Sequence, residues 1–334
     1  MRQTPLHVVV LHQAVSADAP PDELDVLDEV RSVRKALKSL GHRVTVLPMT
    51  ANLHAMSRAL RKARPDCVFN LVETLLGRGA LAAAATALLD AEKLVYTGAG
   101  TAALALTTNK LTTKRALYRA GILTAPWITP SEQCGFTPGT YVIKPISEDA
   151  SVGIDEDSLV RTKSVAACQK EILRRSHQLG HALFAERFVE GREFNISVIG
   201  TIAAPRVLPI AEIQFCGFKE RHMPTLVGYR AKWDTESYEY KNTTRSFAMS
   251  KVDRALYREL TRIAKKAWTL VGCSGYARVD LRVNRQGRPF VLELNVNPCV
   301  TPDAGFFAAA NQAGLDYQAL IAELLSIALT DGAH

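Results

Sequence analysis

The first hundred residues alternate between two hydrophobic periods, and this alternation constrains the fold more than any other feature. Short apolar runs that are typical of buried strands occur at 6–11, 44–47 and 67–72. Between these runs, apolar residues recur at helical spacing over 26–40 and 51–63. Parallel strands need long crossover connections, which are usually helical. The alternation of strands and helices therefore predicts a parallel sheet covered by helices.

One acidic residue follows the third predicted strand directly. Glu73 comes immediately after the run at 67–72. Ligands of open parallel sheets gather outside the carboxyl ends of the strands, so Glu73 is a candidate for binding a substrate. The alternative, equally compatible with the spacing, is an ordinary solvated acid in a loop.

Length and composition exclude several classes of protein. A chain of 334 residues is too long for one small core, so we expect two or three domains. The net charge is +8, but the densest basic patch, at 58–64, has no interleaved aromatic residues, and we expect no nucleic-acid partner. The longest apolar run, at 79–89, is about half as long as a membrane span. The six cysteines form no C-x-x-C pair and no export signal is visible, which predicts a cytoplasmic protein with reduced thiols.

The most informative chemical signal is a predicted β-hairpin around a turn at 284–287. Its flanks alternate polar and apolar residues, and the spacing places Asp280 opposite Glu293, roughly 5 Å apart at Cβ. Arg278 and Asn295 fall on the same face of the hairpin. We expect the apolar positions to share the other face: Val279, Leu281, Phe290, Leu292 and Leu294.

Two carboxylates at that separation repel each other unless a cation lies between them. Together with the amide oxygen of Asn295, Asp280 and Glu293 form a set of hard oxygen ligands that suits Mg²⁺. Magnesium bound by one or two carboxylates mainly holds nucleotide phosphates. The hairpin therefore indicates a metal-assisted nucleotide site, and the alternative is a surface hairpin with solvated charges.

Two further segments have the composition of functional loops. Lys144 ends a predicted strand at 141–144 and precedes a loop of small and polar residues at 146–153. Such a loop can direct several backbone N–H groups at one anion while the lysine adds a point charge. The alternative is an ordinary turn. Residues 214–250 are polar, contain many aromatic residues and lack periodicity, which predicts a functional lid or a disordered segment.

Taken in order, four segments resemble the ATP-grasp superfamily and, within it, the D-alanine–D-alanine ligase family. They lie at 97–110, at 142–145 with 151–153, at 186–189 with 193–194, and at 278–280 with 293–298. The resemblance covers nearly the whole chain. It implies an α/β fold that becomes α+β in the C-terminal half.

The same resemblance implies a division of the chain into three parts. The N-terminal parallel α/β domain would cover 1–105. A central ATP-grasp subdomain would follow at 106–188, and a C-terminal ATP-grasp subdomain with the metal site and a mobile lid would cover 189–334. The last two would clamp ATP between them.

Several residues match nucleotide-binding positions of the family. The resemblance places Lys110 and Lys144 on the ATP phosphates, with the loop around Ser151 folding over them. Three further positions match contacts to the nucleoside: Glu186 and Val189 for adenine, and Glu193 for the ribose hydroxyls.

Other residues match positions that support the chemical step. Asp280, Glu293 and Asn295 match ligands of two Mg²⁺ ions, with Mn²⁺ as an alternative metal. Arg278 matches an arginine that stabilises a tetrahedral oxyanion, and Lys232 matches a lysine of the lid. The implied reaction activates a carboxylate as an acyl phosphate, which an amine attacks to give an amide, ADP and phosphate. Metals and fixed cations suit this chemistry because negative charge spreads over the phosphoryl oxygens.

Positions near the expected substrates depart from the family pattern. The glutamate motif that follows the first strand in the family is absent from 12–21. Other family residues are replaced, by Glu73, Ala150, Trp233, Cys299 and Ala304. Loss of polar partners argues for a changed substrate. We therefore expect a ligase of amino acids or similar small molecules other than two D-alanines, with Glu73 and Asp303 as the candidate acids for a substrate amine.

Two alternatives remain at this point. One is a true D-alanine–D-alanine ligase of cell-wall synthesis. The other is an ATP-grasp phosphotransferase or a non-catalytic ATP-binding module. In each case we expect small amino-acid-like ligands and no membrane partner. The oligomeric state cannot be read from the sequence, although proteins of the family often form homodimers through the N-terminal region.

Overall fold

Three β-sheets follow one another along the computed structural model, which describes residues 4–148 and 151–331. The strands of the first sheet are β1 (His7–Gln13), β2 (Arg43–Met49) and β3 (Cys67–Asn70). They are parallel and lie in the order β2-β1-β3. The accompanying helices are α1 (Pro21–Ser39), α2 (Leu53–Ala63), α3 (Ala83–Ala91) and α4 (Thr101–Thr108). The parallel sheet predicted from the two hydrophobic periods is confirmed.

Helix α1 begins and ends for local reasons. Pro21 lies in its first turn, where a missing N–H has no partner to lose, and Asp22 and Glu23 place negative charge at the helix N-terminus. Gly41, with a φ of +88°, turns the chain toward β2 after the helix. The buried stripe of α1 faces the sheet and contains Val26, Val30, Val33, Ala36 and Leu37.

The second sheet is antiparallel and lies between α5 (Lys110–Arg119) and the third sheet in the sequence. Its strands are β4 (Trp127–Ile128), β5 (Gln133–Cys134), β6 (Gly139–Pro145), β7 (Leu159–Thr162) and β8 (Leu183–Arg187), in the order β5-β4-β8-β6-β7. Helix α6 (Val165–Leu179) packs on it. The sequence analysis predicts β6 as the strand at 141–144. It misses β4, β5 and β7 because two to four residues are too few to display a period.

The third sheet is also antiparallel and carries the predicted hairpin. Its strands are β9 (Gly191–Gly200), β10 (Pro205–Val207), β11 (Ala211–Phe215), β12 (Thr243–Ser246), β13 (Gly275–Asn284) and β14 (Pro289–Asn295). They lie in the order β12-β11-β9-β13-β14, and β10 pairs with β9.

The hairpin contains a β-bulge that the sequence analysis does not anticipate. Asp280 pairs with Glu293 as predicted, but the register shifts between Asp280 and Leu281, so that Leu281 pairs with Val291. The extra residue inverts the alternation in β14, because side chains alternate strictly only without a bulge. Phe290 therefore pairs with Arg282, and Val291 enters the hydrophobic core instead. The prediction that Phe290 shares the apolar face of Leu281 is wrong.

The segment at 214–250 is not structureless. It contains α7 (Arg230–Trp233), α8 (Tyr238–Asn242), β12 and the start of α9 (Met249–Val252). These elements are short and lack a period that would reveal them. They lead into α10 (Arg254–Val271), where the Asp253 side chain accepts a hydrogen bond from the Leu256 N–H and caps the helix. The amphipathic stripe of α10 packs beneath the third sheet.

The last two helices return to the first sheet. Helix α11 (Gly305–Gln312) and helix α12 (Tyr317–Asp331) share one hydrophobic cluster with α1 and the first sheet. Members of this cluster from distant parts of the chain include Val8, Val33, Phe69, Phe306, Leu320 and Leu324. This packing brings the segment between β14 and α11 beside α1. Across the described residues, none of the helices has the length and apolar character that crossing a membrane requires.

Replacement of Leu324 by alanine tests whether α12 is part of the core of the first sheet. Leu324 is fully buried, so we expect Leu324→Ala to lower the free energy of unfolding by about 2–5 kcal/mol in urea titrations followed by circular dichroism. Leu329, on the same helix, is 41% exposed, and Leu329→Ala should change the same quantity by about 0.5 kcal/mol or less. Equal effects of the two substitutions would contradict the packing of α12.

Candidate active site

The register of the third sheet collects polar side chains on one face. Asp280 of β13 pairs with Glu293 of β14 on one side and with Asn195 of β9 on the other. Arg278 pairs with Asn295 in the same way. Directly paired residues of antiparallel strands point to the same side of a sheet. Three strands thus place two carboxylates, two amides and one guanidinium together; the hairpin pattern predicts all of them except Asn195.

Cations surround the two carboxylates. The Arg278 guanidinium donates two hydrogen bonds to Asp280, from Nε at 2.8 Å and from Nη2 at 2.9 Å. The Asn195 amide donates a third, at 2.8 Å. Glu293, on β14, has a cation from α5 beside it: Lys110 Nζ lies 3.6 Å from one of its carboxylate oxygens.

Electrostatics keep Glu293 ionised. Burial alone would raise the pKa of its carboxyl group, but nearby cations outweigh burial and lower the pKa to about 2. The cations that act on it are Lys110, Lys144, Arg278 and Lys232. This concentration of positive charge around a carboxylate pair is suited to a highly charged anion such as a polyphosphate.

The donor set of the face fits a magnesium ion. Asp280 and Glu293 supply carboxylates, and the Asn295 amide supplies an oxygen that also accepts a hydrogen bond from the Asn297 N–H at 2.9 Å. Within 4–148 and 151–331, no group of three His, Cys, Asp or Glu side chains converges as a metal cluster. A metal on this face would therefore need the amide oxygen or phosphate oxygens beside the two carboxylates, as Mg²⁺ prefers.

A buried ion triad anchors one of the predicted phosphate-binding lysines. The Glu186 carboxylate lies between Lys144, whose Nζ is 2.6 Å away, and Lys114, with which it forms a second ion pair. Burial would raise the pKa of Glu186, but the two lysines outweigh it and lower the pKa. The sequence analysis assigns Glu186 to adenine and misses Lys114. Its position four residues after Lys110 on α5 was the available signal, since such residues share a helix face.

A second buried ion pair lies where the second and third sheets join. Arg282 is almost fully buried, and it donates hydrogen bonds to the Val189 carbonyl and to the Glu193 carboxylate, both at 2.7 Å. Burial raises the pKa of Glu193 even with Arg282 beside it. Val189 and Glu193 are the residues predicted to bind the nucleoside. The sequence analysis misses Arg282, although its place two residues after Asp280 puts it on the same face of β13.

The small-residue loop is joined by hydrogen bonds to the segment at 214–250. Ser151 Oγ donates to the Val227 carbonyl at 2.9 Å, and the Tyr229 N–H donates to the Ile154 carbonyl at 2.9 Å. Lys232 follows on α7 within the same segment. The loop around Ser151 and the segment that carries Lys232 are thus in contact. The replaced family position at Ala150 lies outside the described residues.

The segment at 214–250 also contacts α1. The Tyr229 hydroxyl donates to Asp22 Oδ1 at 2.8 Å, at the start of α1. At the end of β3, the Glu73 N–H donates to the Gln13 side chain at 3.2 Å. The negative charge of Glu73 contributes to raising the pKa of Cys299, after burial and Glu29. Glu73 therefore lies on the side of the site that is formed by the first sheet and the segment before α11.

The segment before α11 rests on a buried acid of α1. Glu29 Oε1 accepts a hydrogen bond from the Val300 N–H at 2.6 Å, and Cys299 Sγ lies 3.4 Å from Asp25. Burial raises the pKa of Glu29 to about 8, and the nearby charge of Asp25 adds to the effect. Burial also raises the pKa of Asp25, with a contribution from Asp303. Burial likewise raises the pKa of Cys299, which disfavours the thiolate form that a nucleophilic cysteine needs.

The raised pKa of Glu29 predicts a pH-dependent stability. A proton bound in the folded state stabilises the protein fully below the unfolded pKa, near 4.5, and this contribution is lost as the pH rises through about 8. We expect the free energy of unfolding to fall across that window, by up to about 1.4 kcal/mol per pH unit. Glu29→Gln keeps an acceptor for the Val300 N–H and should flatten the fall in urea titrations between pH 5 and 9.

The neighbouring residue on α1 supplies the control for this pH series. Asp28 is exposed, so Asp28→Asn should leave the slope of stability against pH as it is in the wild type. A slope in Glu29→Gln as steep as in the wild type would show that Glu29 does not carry the protons taken up on folding.

Comparison with known proteins identifies the family. The family described as D-ala D-ala ligase C-terminus matches residues 133–326, which is more than half of the chain. The D-alanine–D-alanine ligase of Methylococcus capsulatus is 30% identical over 304 residues, covering 88% of this chain and 88% of that protein. That of Synechococcus sp. is 31% identical over 310 residues, covering 90% and 87%. The solved D-alanine–D-alanine ligase from Bacillus anthracis complexed with ATP covers 97% of this chain and 98% of that chain, with a TM-score of 0.72 at 19% identity.

These comparisons also bear on the predicted change of substrate. All the relatives and solved structures named above are D-alanine–D-alanine ligases, so the expectation of a substrate other than two D-alanines is not supported, and the D-alanine alternative fits better. The chain belongs to the D-alanine–D-alanine ligase family: it has the ATP-grasp fold and is a carboxylate–amine ligase.

Proposed function

We propose that this enzyme joins two D-alanine molecules in an ATP-dependent, ADP-forming reaction. The observation that carries the proposal is the concentration of positive charge on the face of the third sheet, where Asp280 and Glu293 stand opposite each other. The cations that act on Glu293 come from α5, β6, α7 and β13: Lys110, Lys144, Lys232 and Arg278. Phosphoryl transfer needs such fixed cations more than it needs a side-chain nucleophile.

ATP would lie between the second and third sheets. Lys110 and Lys144 would bind its phosphates, and Ser151 and Lys232 would belong to the segments that cover them. The connection from β8 to β9, with Glu186, Val189 and Glu193, would receive the nucleoside. The division of the chain at 105 and 188 into an N-terminal domain and two ATP-grasp subdomains is part of the same proposal.

A metal site would complete the nucleotide site. Asp280, Glu293 and Asn295 would hold one or two Mg²⁺ ions, whose chemistry is to neutralise the phosphoryl oxygens and to align them. The hard oxygen set favours Mg²⁺ or Mn²⁺ over softer metals. Lys110, beside Glu293, would bind the same phosphates from the opposite side.

The reaction proceeds in two displacements. A carboxylate oxygen of the donor attacks the γ-phosphorus of ATP, and the bond to the bridging oxygen breaks to release ADP. The neutral amine of the acceptor then attacks the acyl carbon and loses a proton. Arg278 donates hydrogen bonds to the oxyanion that forms, and phosphate leaves with one of the original carboxylate oxygens. The contacts of Ser151 and Tyr229 hold the loop and the lid together, which excludes water from the acyl phosphate.

D-alanine is the proposed substrate because the relatives named above bear that activity in their names. Glu73 and Asp303 are proposed to bind substrate amines, since the charge of Glu73 acts on Cys299 and that of Asp303 acts on Asp25, which lies beside Cys299. Cell-wall synthesis is the corresponding role.

Phosphate release in the presence of ATP and Mg²⁺ tests this function. We expect D-alanine to support turnover, with D-alanyl-D-alanine identified by mass spectrometry, across a panel of both enantiomers of the amino acids tested singly and in pairs. Glu293→Gln and Asp280→Asn should reduce the rate at least about 100-fold, because each removes a charge from the metal and phosphate site. Glu259, in a surface ion pair on α10, offers a matched control, and Glu259→Gln should retain activity within about twofold.

Three other outcomes would contradict the proposal in different ways. Turnover with another pair of substrates but none with D-alanine would show that the proposed substrate is wrong and that the proposed ligase activity is right. A phosphorylated product without condensation would replace the ligase with a phosphotransferase. Full activity of Glu293→Gln would remove the assigned metal site.

A further inference from the structure

Arg245 lies on the site face of the third sheet, at the edge opposite to the hairpin. It pairs with Ile213 of β11, and Ile213 pairs in turn with Glu193 of β9. Glu193 pairs with Arg282, which is two residues from Asp280 along β13. Directly paired residues share a face, and so do residues two apart on one strand. Arg245 is therefore on the same side of the sheet as the reaction centre.

The Arg245 guanidinium has no partner within the described part of the chain. It is exposed to solvent, and it donates no hydrogen bond and forms no ion pair to any residue of 4–148 or 151–331. Two other arginines of the same sheet are paired: Arg282 with Glu193 and Arg192 with Glu212. An arginine that is close to a site and lacks a carboxylate partner is available for an anionic ligand.

A like charge lies close to this guanidinium. The residue as a whole is exposed, but neighbouring atoms partly desolvate its guanidinium, which lowers the pKa of Arg245. The positive charge of Arg278 lowers this pKa further, whereas Asp303 opposes the change. Two neighbouring arginines repel each other unless an anion lies between them. Asp303 offsets part of this repulsion but makes no ion pair with Arg245. The pair of arginines therefore favours one further negative charge at this place.

A glycine provides the room for Arg245. A Cβ on Gly305 would lie 3.1 Å from Arg245 Nε, so the absence of a side chain lets the guanidinium lie against the start of α11. The N-cap position, Ala304, has no side-chain hydrogen bond to the helix, and the first turn contains no acid. The first N–H groups of α11 therefore have no side-chain acceptor of their own, and their partial charge adds to that of the guanidinium.

We propose that Arg245 binds the carboxylate of the amine substrate and makes the enzyme select acceptors with a free carboxylate. The inference rests on the proposed function, ligation of two amino acids. In that reaction the donor carboxylate is consumed, and the acceptor carboxylate is the anion that persists. In the proposed function Lys110 and Lys144 bind the ATP phosphates, on the side of the hairpin. Arg278 lies at the acyl carbon, so the neighbouring Arg245 is placed for the molecule that attacks that carbon.

Competition between two acceptors tests this role. Equal concentrations of D-alanine and D-alaninamide are supplied with ATP and Mg²⁺, and the ratio of dipeptide to dipeptide amide is measured by mass spectrometry. We expect Arg245→Gln to lower this ratio about 10- to 100-fold relative to wild type, because a charged hydrogen bond to the carboxylate is lost. Because the product ratio of the variant is divided by that of the wild type, the different basicities of the two acceptor amines do not affect the result.

Two further variants separate charge, geometry and folding. Arg245→Lys retains the charge but cannot form a fork of two hydrogen bonds, so its ratio should lie between those of wild type and Arg245→Gln. Gly305→Ala leaves Arg245 in the chain but pushes its guanidinium away by a few tenths of an ångström, so it should lower the ratio in the same direction and by less than Arg245→Gln. Arg58, an exposed arginine of α2, provides the control, and Arg58→Gln should keep the wild-type ratio.

A donor-side measurement distinguishes failure of this inference from failure of the proposed function. Hydroxylamine traps an acyl phosphate as a hydroxamate and has no carboxylate, so Arg245→Gln should form hydroxamate from D-alanine within about twofold of wild type. Hydroxamate formation together with an unchanged product ratio in Arg245→Gln and Gly305→Ala would overturn the role of Arg245 alone. Absence of hydroxamate with every amino acid, in wild type as well, would overturn the ligase proposal and this inference with it.

Discussion

The register of β13 between β9 and β14 determines where the charges of this site lie. It places Asp280 opposite both Asn195 and Glu293, and Arg278 opposite Asn295. A shift by one residue would turn all of these side chains into the hydrophobic core, because strand side chains alternate between faces. The β-bulge after Asp280 lets Val291 fill the core without disturbing this arrangement. One antiparallel register thus serves the core on one side and the reaction on the other.

Buried ion pairs then hold the cations in position. Lys144 and Lys114 share Glu186, and Arg282 is held by Glu193 and the Val189 carbonyl. Buried ion pairs are poor sources of stability, since desolvation offsets most of their attraction. Their value here is geometric: charges that are already oriented need no reorganisation when phosphate charge develops. The same reasoning separates Arg245, which has no carboxylate partner, from the arginines that serve the fold.

The predictable parts of this protein are those that depend on local periodicity. The parallel sheet, α1 and the facing of Asp280 and Glu293 all follow from alternation within short windows of the chain. Local spacing places Lys114 on the helix face of Lys110 and Arg282 on the strand face of Asp280, but it does not reveal their ion pairs, because the partners lie about 70 and 90 positions away. The position of Phe290 was mispredicted for a related reason. The β-bulge depends on core packing, which places Val291 and not Phe290 in the hydrophobic core. The roles of Glu29 and Arg245 are not visible in the sequence, because they depend on distant segments that pack beside them: the segment before α11 for Glu29, and the start of α11 for Arg245.

The central claim is that this face of the third sheet transfers a phosphoryl group to a substrate carboxylate before the amide forms. D-alanine labelled with ¹⁸O in both carboxylate oxygens tests it directly. We expect each phosphate released from unlabelled ATP to contain one ¹⁸O atom, because the donor oxygen that attacks the γ-phosphorus leaves with it. Mass spectrometry of the phosphate provides the count. Phosphate without label, released at the rate of amide formation, would contradict the acyl phosphate route and with it the function assigned to Asp280, Glu293 and their cations.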